Sequence, residues 1–187
     1  MSARNLTIWT VGHSNRRIQD FLFLLKTYQI NFLADVRRFP GSRRLPHFNR
    51  EALEQSLAEV EIHYMHFPEL GGKRTTRADS RNGGWKNLSF RGYADHMETS
   101  EFQTAVGHLK DFAARQNLAV MCAEVLWWQC HRSLIADVVK VQGARVLHIL
   151  SATKIEEHPY TSPARIVDGE LSYAASQEEG GQMLLLK

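Results

Sequence analysis

The sequence predicts an α/β fold: one domain built on a mostly parallel sheet of about five strands flanked by helices, in a Rossmann-like arrangement. Two observations lead to this prediction. Short runs rich in β-branched and apolar residues alternate along the chain with segments whose apolar residues recur at helical spacing. The 187 residues also suit one domain with a sizeable core, and no internal repeat indicates another architecture. We therefore treat residues 1–187 as a single domain.

Three strands and two helices are predicted in the first part of the chain. Residues 6–13 form a strand candidate, and Ser14 or Asn15 can cap the helix that follows it. A second short apolar run covers residues 31–37, and a loop with two prolines and a glycine comes next. Asn49 can cap the second helix, and residues 60–67 are a third strand candidate.

Residues 68–89 lack any apolar period and are predicted to be a long loop. A capping box of Ser100 and Gln103 begins a helix, and residues 118–124 form the fourth strand candidate. A helix over residues 133–142 leads into a fifth strand over residues 145–150. The tail from about residue 151 is polar, with a hairpin pattern at residues 168–169.

The composition is that of a soluble globular protein. No apolar run approaches the ~20 residues that span a bilayer, and the first residues lack the apolar segment of a signal peptide. Two cysteines are too few for a disulfide framework, which fits a reducing compartment. We therefore expect a cytoplasmic protein without a membrane partner.

The positive charge is concentrated in two segments. Residues 37–50 hold five arginines and no acid, and residues 73–91 hold six basic residues and one acid. The rest of the chain has 12 basic and 19 acidic residues. Such an asymmetry favours an anionic ligand, although basic loops can also serve only solubility.

Polar residues follow four of the predicted strands where each strand ends. In open parallel sheets, binding sites form beyond the carboxyl ends of the strands. A shared cleft therefore explains the position of these polar residues at four strand ends better than chance does. Each also has a structural explanation, such as a buried ion pair for Asp35 with Arg37 or a turn with positive φ for Gly71 and Gly72.

The turn Cys130-His131-Arg132 is the most specific of these features, because it lies where a strand's return loop meets a helix. Free backbone N–H groups at a helix start bind anions and lower the pKa of a thiol. An arginine can hold a phosphate through two hydrogen bonds. Alternatively, Cys130 is a buried small apolar residue and Arg132 a salt-bridge partner. Trp127 and Trp128 could stack on a base or cover the core.

Five blocks of the sequence resemble the family called domain of unknown function 488, over about residues 7–150. They are "TVGHSN", "LADVRRFPGSRR", "FPELGGKR", "YADHM" and "MCAEVLWWQCHRSLIAD". The resemblance implies a bacterial or archaeal α/β protein whose polar motif residues face one cleft. It implies no reaction, although a nucleic-acid role has been suspected for the family.

The favoured hypothesis is an enzyme of unknown reaction class, without a cofactor, that binds a phosphate-bearing ligand such as nucleic acid or a nucleotide. The expected catalytic residues are Cys130, His131, Glu124, Asp35 and His13. The expected ligand-binding residues are Ser14, Arg37, Arg43, Glu69, Arg74 and Arg132. One alternative is a nucleic-acid-binding module without catalysis. Another is a metal site made of Cys122, Glu124, Cys130 and His131, for which zinc would be favoured.

Overall fold

The computed structural model describes residues 6–175. Its strands are β1 (Thr7–Gly12), β2 (Phe32–Asp35), β3 (His63–His66), β4 (Leu118–Cys122), β5 (Arg145–Ile149), β6 (Ile155–Glu157), β7 (Arg165–Val167) and β8 (Glu170–Ser172). Its α-helices are α1 (Ile18–Thr27), α2 (Arg50–Ala58), α3 (Leu88–Met97), α4 (Ser100–Ala113) and α5 (Arg132–Val141). None of the helices described is long and apolar enough to cross a membrane.

A six-stranded sheet in the order β3-β2-β4-β1-β5-β6 is the centre of the molecule. The first five strands in sequence pair in parallel, and β6 pairs antiparallel to β5 at the edge. The single α/β domain with a mostly parallel sheet is therefore confirmed. The chain leaves β1 towards β2 and leaves β4 towards β5, in opposite directions across the sheet. Ligand sites in open α/β sheets form at such a change of direction, here at the carboxyl ends of β1 and β4.

Helices cover both faces of the sheet. The face that carries Leu33, Ala119 and Met121 packs against apolar residues of α1 and α2. The opposite face, which carries Val120 and Cys122, packs against α3, α4 and α5. Because successive strand residues point to opposite faces, the residue at which a strand ends decides which helices its side chain meets. This alternation divides the polar residues at the strand ends into two groups.

Three predicted helix caps differ from the structure in their hydrogen bonds. The helix α1 begins after Arg17, whereas Ser14 has a φ of 46° in the preceding turn and caps nothing. Asn49 does precede α2, but its side chain accepts the backbone N–H of Ser42 instead. Thr99, one residue before the predicted cap, accepts the backbone N–H of Phe102 at the start of α4. Neither α1 nor α2 therefore has a side-chain cap, and the cap of α4 is shifted by one residue.

The described residues after residue 151 pack against the rest of the domain. β6 extends the sheet, and the predicted hairpin at Asp168 and Gly169 is confirmed as the β7–β8 pair, with φ values of 52° and 83° at the turn. Asp137 of α5 accepts hydrogen bonds from Thr161 and from the hydroxyl of Tyr173. These contacts connect the C-terminal part of the described chain to the helix that follows Cys130.

Candidate active site

A cavity of about 460 Å³ opens at the carboxyl ends of β2 and β4. The turn before α5 and the N-terminal half of α3 complete its wall. Its lining residues are Arg37, Arg38, Phe39, Gly72, Lys73, Asn87, Ser89, Phe90, Tyr93, Cys122, Ala123, Glu124, Gln129, Cys130 and His131. The volume is within the range of small-molecule sites in proteins. Of the predicted site residues, this cavity brings together Arg37, Glu124, Cys130 and His131.

Cys130 lies two residues before the start of α5, whose N-cap is His131. The backbone N–H of Arg132 donates to Cys130 Sγ at 3.5 Å, and the carbonyl of Cys130 accepts from the backbone and hydroxyl of Ser133. The sulfur therefore occupies the position where the free N–H groups of a helix start favour negative charge. The residue is nearly buried and lines the cavity.

His131 is oriented by its two ring nitrogens. Nε2 lies 3.1 Å from the carbonyl oxygen of Val36, which can only accept, so this nitrogen carries a hydrogen. In the neutral ring Nδ1 is then an acceptor, and it lies 3.5 Å from Cys130 Sγ. Burial lowers the pKa of His131, so the ring is neutral at neutral pH. A thiol, a base and a group that orients the base are thus aligned as nucleophilic catalysis requires.

The two cysteines have opposite acidities. Burial disfavours a thiolate at Cys130, but a hydrogen bond from Cys122 together with the charge and backbone N–H of Arg132 outweighs it, so the pKa of Cys130 is lowered from 9.0. Burial raises the pKa of Cys122 well above that value. Cys130 is therefore the more nucleophilic thiol at neutral pH.

Arg132 lies under the loop that follows β4 and does not line the cavity. It is 1% exposed, and its Nη2 donates to the carbonyls of Glu124 and Val125 at 2.9 and 3.2 Å. Its Nε and Nη1 have no hydrogen-bond partner among residues 6–175. The guanidinium thus acts on the site as a buried positive charge behind Cys130 rather than as a direct phosphate ligand.

His13, Asp35 and Arg37 form a second polar cluster on the face of α1 and α2. Arg37 Nε and Nη2 donate to the two carboxylate oxygens of Asp35 at 2.9 and 2.6 Å, and the hydroxyl of Tyr64 donates to the same carboxylate. Arg37 Nη1 lies 3.3 Å from His13 Nε2 and donates to the carbonyl of Phe48. Burial lowers the pKa of His13 to about 4. This buried ion pair holds Arg37 at the cavity wall.

Four other predicted site residues lie outside the cavity. Arg74 donates to the carbonyls of residues 68, 69 and 71, so it organises its own loop. Glu69 supplies one of those carbonyls, and its backbone also contacts His96. Arg43 is exposed in the loop before α2. Ser14 donates its backbone N–H to Ala123 and thereby connects the ends of β1 and β4.

Several residues of the site were not predicted from the sequence. Tyr93 packs its ring 5.0 Å from that of His131 and donates its hydroxyl to Leu70. A Cβ on Gly72 would lie 2.9 Å from His131 Nδ1. The glycine pair therefore permits close packing, not the positive φ that was expected, and Lys73 has the positive φ instead. Tyr93 lies in the "YADHM" block, whose sequence gave no indication of a role.

The predicted four-residue metal site is not formed. Over the described range 6–175, no three histidine, cysteine, aspartate or glutamate side chains are grouped as metal ligands. Both nitrogens of His131 are also engaged, one with Val36 and one with Cys130. Among the described residues, the structure therefore gives no support to the metal alternative.

A family model described as domain of unknown function DUF488 matches residues 17–139, about two thirds of the chain. The matched range includes Asp35, Arg37 and the whole turn from Cys130 to Arg132, and it begins after His13. No curated protein and no solved structure matches the chain.

Proposed function

Since the chain belongs to the DUF488 family, whose description names no activity, we propose a function from the chemistry of the cavity. We propose that the protein is an enzyme that binds a phosphate-bearing ligand, a nucleotide or an unpaired end of nucleic acid, and uses Cys130 as its nucleophile. The observation that carries this proposal is the position of Cys130 Sγ between His131 Nδ1 and the backbone N–H of Arg132 at the cavity wall.

We assign a chemical role to three groups near Cys130. His131 Nδ1 can accept the thiol proton as Cys130 attacks, because Nε2–H is held on Val36. The N–H groups at the start of α5 and the charge of Arg132 stabilise the thiolate. Glu124, which is exposed at the rim, is the residue best placed to exchange protons with solvent.

The cavity wall supports a phosphate-bearing ligand. Arg38 and Lys73 are exposed at its mouth, where cations attract phosphate and discriminate against neutral ligands. The rings of Phe39 and Phe90 are apolar surfaces of the kind on which a base stacks. The volume of about 460 Å³ suits a nucleotide better than a folded polymer.

Thermal-shift and calorimetric titrations with nucleoside mono-, di- and triphosphates and with inorganic phosphate test this proposal. Wild type should be stabilised by at least one nucleotide. The double variant Arg38→Ala with Lys73→Ala should bind at least about tenfold more weakly, since hydrogen bonds to charged groups contribute about 1.5–3 kcal/mol. Lys26→Ala, which removes an exposed lysine of α1 outside the cavity, is the control for loss of a surface charge and should bind as wild type does.

Cys130→Ser separates binding from catalysis. It should retain nucleotide binding and lose any covalent adduct or turnover that wild type gives. If neither nucleotides nor inorganic phosphate stabilise wild type, the ligand class is wrong.

The exposed arginines outside the cavity favour a second candidate, nucleic-acid binding without catalysis. Arg43, Arg44 and Arg81 are exposed and do not line the cavity. Anisotropy of a labelled oligonucleotide between about 50 and about 200 mM salt measures the number of phosphates contacted. Arg43→Ala with Arg44→Ala should reduce the log–log slope by up to about two units, and Cys130→Ala should leave it unchanged. Absence of binding at the lower salt would leave only the small-ligand alternative.

A further inference from the structure

The two cysteines of the chain lie in one cavity wall. Cys122 ends β4, Cys130 precedes α5, and a loop of seven residues, 123–129, joins them. Both are free thiols and both are nearly buried. The Cys122 thiol donates to the backbone carbonyl of Glu124 at 4.0 Å, and both cysteines belong to the same buried cluster. An interaction with the Cys122 thiol also contributes to the lowered pKa of Cys130. Two free thiols in one cavity wall, with no third cysteine in the chain, are the arrangement from which an intramolecular disulfide can form.

The surroundings give the two sulfurs different roles. Cys130 has the helix start, Arg132 and the Cys122 thiol to stabilise its thiolate, whereas Cys122 is surrounded by the apolar core of the α3, α4 and α5 face. A thiolate that attacks and a protonated neighbour that resolves are the two components of a peroxide-reactive dithiol. In the nucleophilic chemistry proposed above, Cys122 forms no covalent bond.

We propose that Cys130 and Cys122 form a peroxide-reactive dithiol, in which Cys130 is oxidised by a hydroperoxide and Cys122 then closes an intramolecular disulfide. This inference rests on the reactive Cys130 of the proposed function, but it does not depend on the phosphate-bearing ligand.

Both steps balance with the hydroperoxide as the only oxidant. The Cys130 thiolate attacks the terminal oxygen, the O–O bond breaks, and the leaving hydroxide or alkoxide takes up the proton that Cys130 gave to His131. Cys130 is then a sulfenic acid. The Cys122 sulfur next attacks Cys130 Sγ, the S–O bond breaks, and the departing hydroxide combines with the Cys122 proton as water. Two thiols and one hydroperoxide thus give one disulfide and one water, together with an alcohol from an alkyl hydroperoxide or another water from hydrogen peroxide.

Arg132 makes this disulfide easy to reduce. In the reduced protein its buried charge is next to the Cys130 thiolate, and none of the carboxylates described pairs with it. A disulfide is neutral, so its formation removes this attraction and leaves the guanidinium without an anionic neighbour. Stabilisation of the reduced form makes a disulfide a stronger oxidant, so we expect a thiol reductant to restore Cys130 readily. While it lasts, the disulfide would also block Cys130 as a nucleophile.

Intact-mass and peptide mass spectrometry of the full chain after exposure to a small excess of hydrogen peroxide tests the proposal. Wild type should lose the mass of two hydrogen atoms, yield a linked peptide pair containing Cys122 and Cys130, and return to its original mass with dithiothreitol. Cys122→Ser should instead retain one oxygen on Cys130, which dimedone traps. Cys130→Ser, the matched control, should stay unmodified under the same conditions.

The wild-type peptide map decides the outcome even if a variant folds poorly. Oxidation of wild-type Cys130 to sulfinic or sulfonic acid without the linked peptides would overturn the proposal, as would no reaction with peroxide at all. Oxidation of Cys122 in Cys130→Ser at the wild-type rate would do the same. Nucleotide binding is measured separately, so disulfide formation without nucleotide binding would contradict only the proposed ligand.

Discussion

At the scale of single residues, Cys130 illustrates how position determines chemistry. The chain has two cysteines, and both are nearly buried. Cys122 ends a strand within the core, whereas Cys130 Sγ accepts the first backbone N–H of helix α5, beside a buried arginine. Burial disfavours the thiolate in both cases, and only at Cys130 do local positive charge and hydrogen bonds reverse that effect. The same side chain is therefore a core residue at one position and a candidate nucleophile at the other.

We predict that iodoacetamide alkylates Cys130 faster than Cys122 at neutral pH. The lowered pKa of Cys130 raises its thiolate fraction, and the raised pKa of Cys122 suppresses its own. Peptide mass spectrometry over a time course gives the two rates, and the Cys130 rate should reach half its maximum below pH 9.0. Equal rates, or faster labelling of Cys122, would remove the case for a reactive Cys130.

The arginines show that residue identity alone does not determine which group an arginine binds. The sequence predicted Arg37, Arg74 and Arg132 as phosphate ligands because each follows a strand end. In the structure Arg37 binds Asp35, Arg74 binds backbone carbonyls, and Arg132 is buried behind Cys130. The Phe48 carbonyl that accepts from Arg37 comes from a loop that the fold brings near it, whereas the three carbonyls that accept from Arg74 belong to its own loop. A guanidinium with satisfied donors contributes charge to a site but has fewer hydrogen bonds to offer a ligand.

At the scale of elements, the turn from Pro68 to Lys73 is a tightly packed part of the site. Gly71 lies against Arg38, and Gly72 lies against the imidazole of His131. A side chain at either glycine would displace a residue of the cavity wall. The long loop predicted over residues 68–89 is thus in part a tightly packed wall, which explains why it can be ordered without regular structure.

We predict that Gly72→Ala slows alkylation of Cys130 while preserving the fold. The new Cβ would lie 2.9 Å from His131 Nδ1, so the ring must shift and its alignment with Cys130 as a base is disturbed. Overpacking of this kind costs about 1–3 kcal/mol of stability. Iodoacetamide rates and urea unfolding measure the two effects.

Gly107→Ala is the matched control for that substitution. Gly107 lies on the exposed side of α4 with nothing within 4 Å of its new Cβ, so the change should stabilise the helix by up to about 1 kcal/mol. It should leave the Cys130 rate unchanged. A wild-type Cys130 rate in Gly72→Ala would show that the His131 contact is not functional.

At the scale of the whole molecule, a second set of buried polar groups connects the sheet to the C-terminal segment. Asp137 Oδ1 lies 3.0 Å from His158 Nε2, His158 Nδ1 lies 2.9 Å from His148 Nε2, and His148 Nδ1 lies 2.7 Å from the hydroxyl of Thr10. Trp127 stacks on His148 at 4.5 Å, so this tryptophan covers the core rather than a base. The chain of hydrogen bonds joins α5, β1 and β5 in the interior.

These buried histidines predict a loss of stability in acid. Burial lowers the pKa of His13 to about 4 and, with the charges of His158 and Arg132, lowers that of His148 to about 2. The unfolded chain binds a proton at each site near pH 6.5, whereas the folded protein does not. The contribution of these two neutral histidines to the free energy of unfolding is therefore fully present above about pH 6.5. On acidification it falls by about 1.4 kcal/mol per pH unit for each histidine, until the folded pKa of that histidine is reached.

Urea unfolding between about pH 7 and about pH 5 checks this prediction. His13→Gln should reduce the slope of unfolding free energy against pH by about one proton. The exposed His63→Gln is the control and should keep the wild-type slope. An unchanged slope in His13→Gln would mean that His13 is protonated in the folded protein.

The sequence by itself determined the order and type of the main elements, the hairpin turn and the edge of the sheet at which the polar residues gather. These properties follow from local rules: apolar period, glycine at a turn, and parallel strands that end on one side. It also identified the Cys130-His131-Arg132 turn, because the end of a strand and the start of a helix are both visible in the local pattern.

The tertiary structure alone decided which of these polar residues share a cavity. Asp35 and His13 point to the face of α1 and α2, whereas Cys122 faces α3 and α5 and shares the cavity with Cys130. A shift of one residue at a strand end would exchange the two faces, and the sequence pattern locates such ends only to within a few residues. The unpaired charge of Arg132, the fit of Gly72 against His131 and the shared cavity wall of Cys122 and Cys130 depend on segments far apart or on the path of a loop. Such contacts are set by packing of the whole chain, which no local pattern encodes.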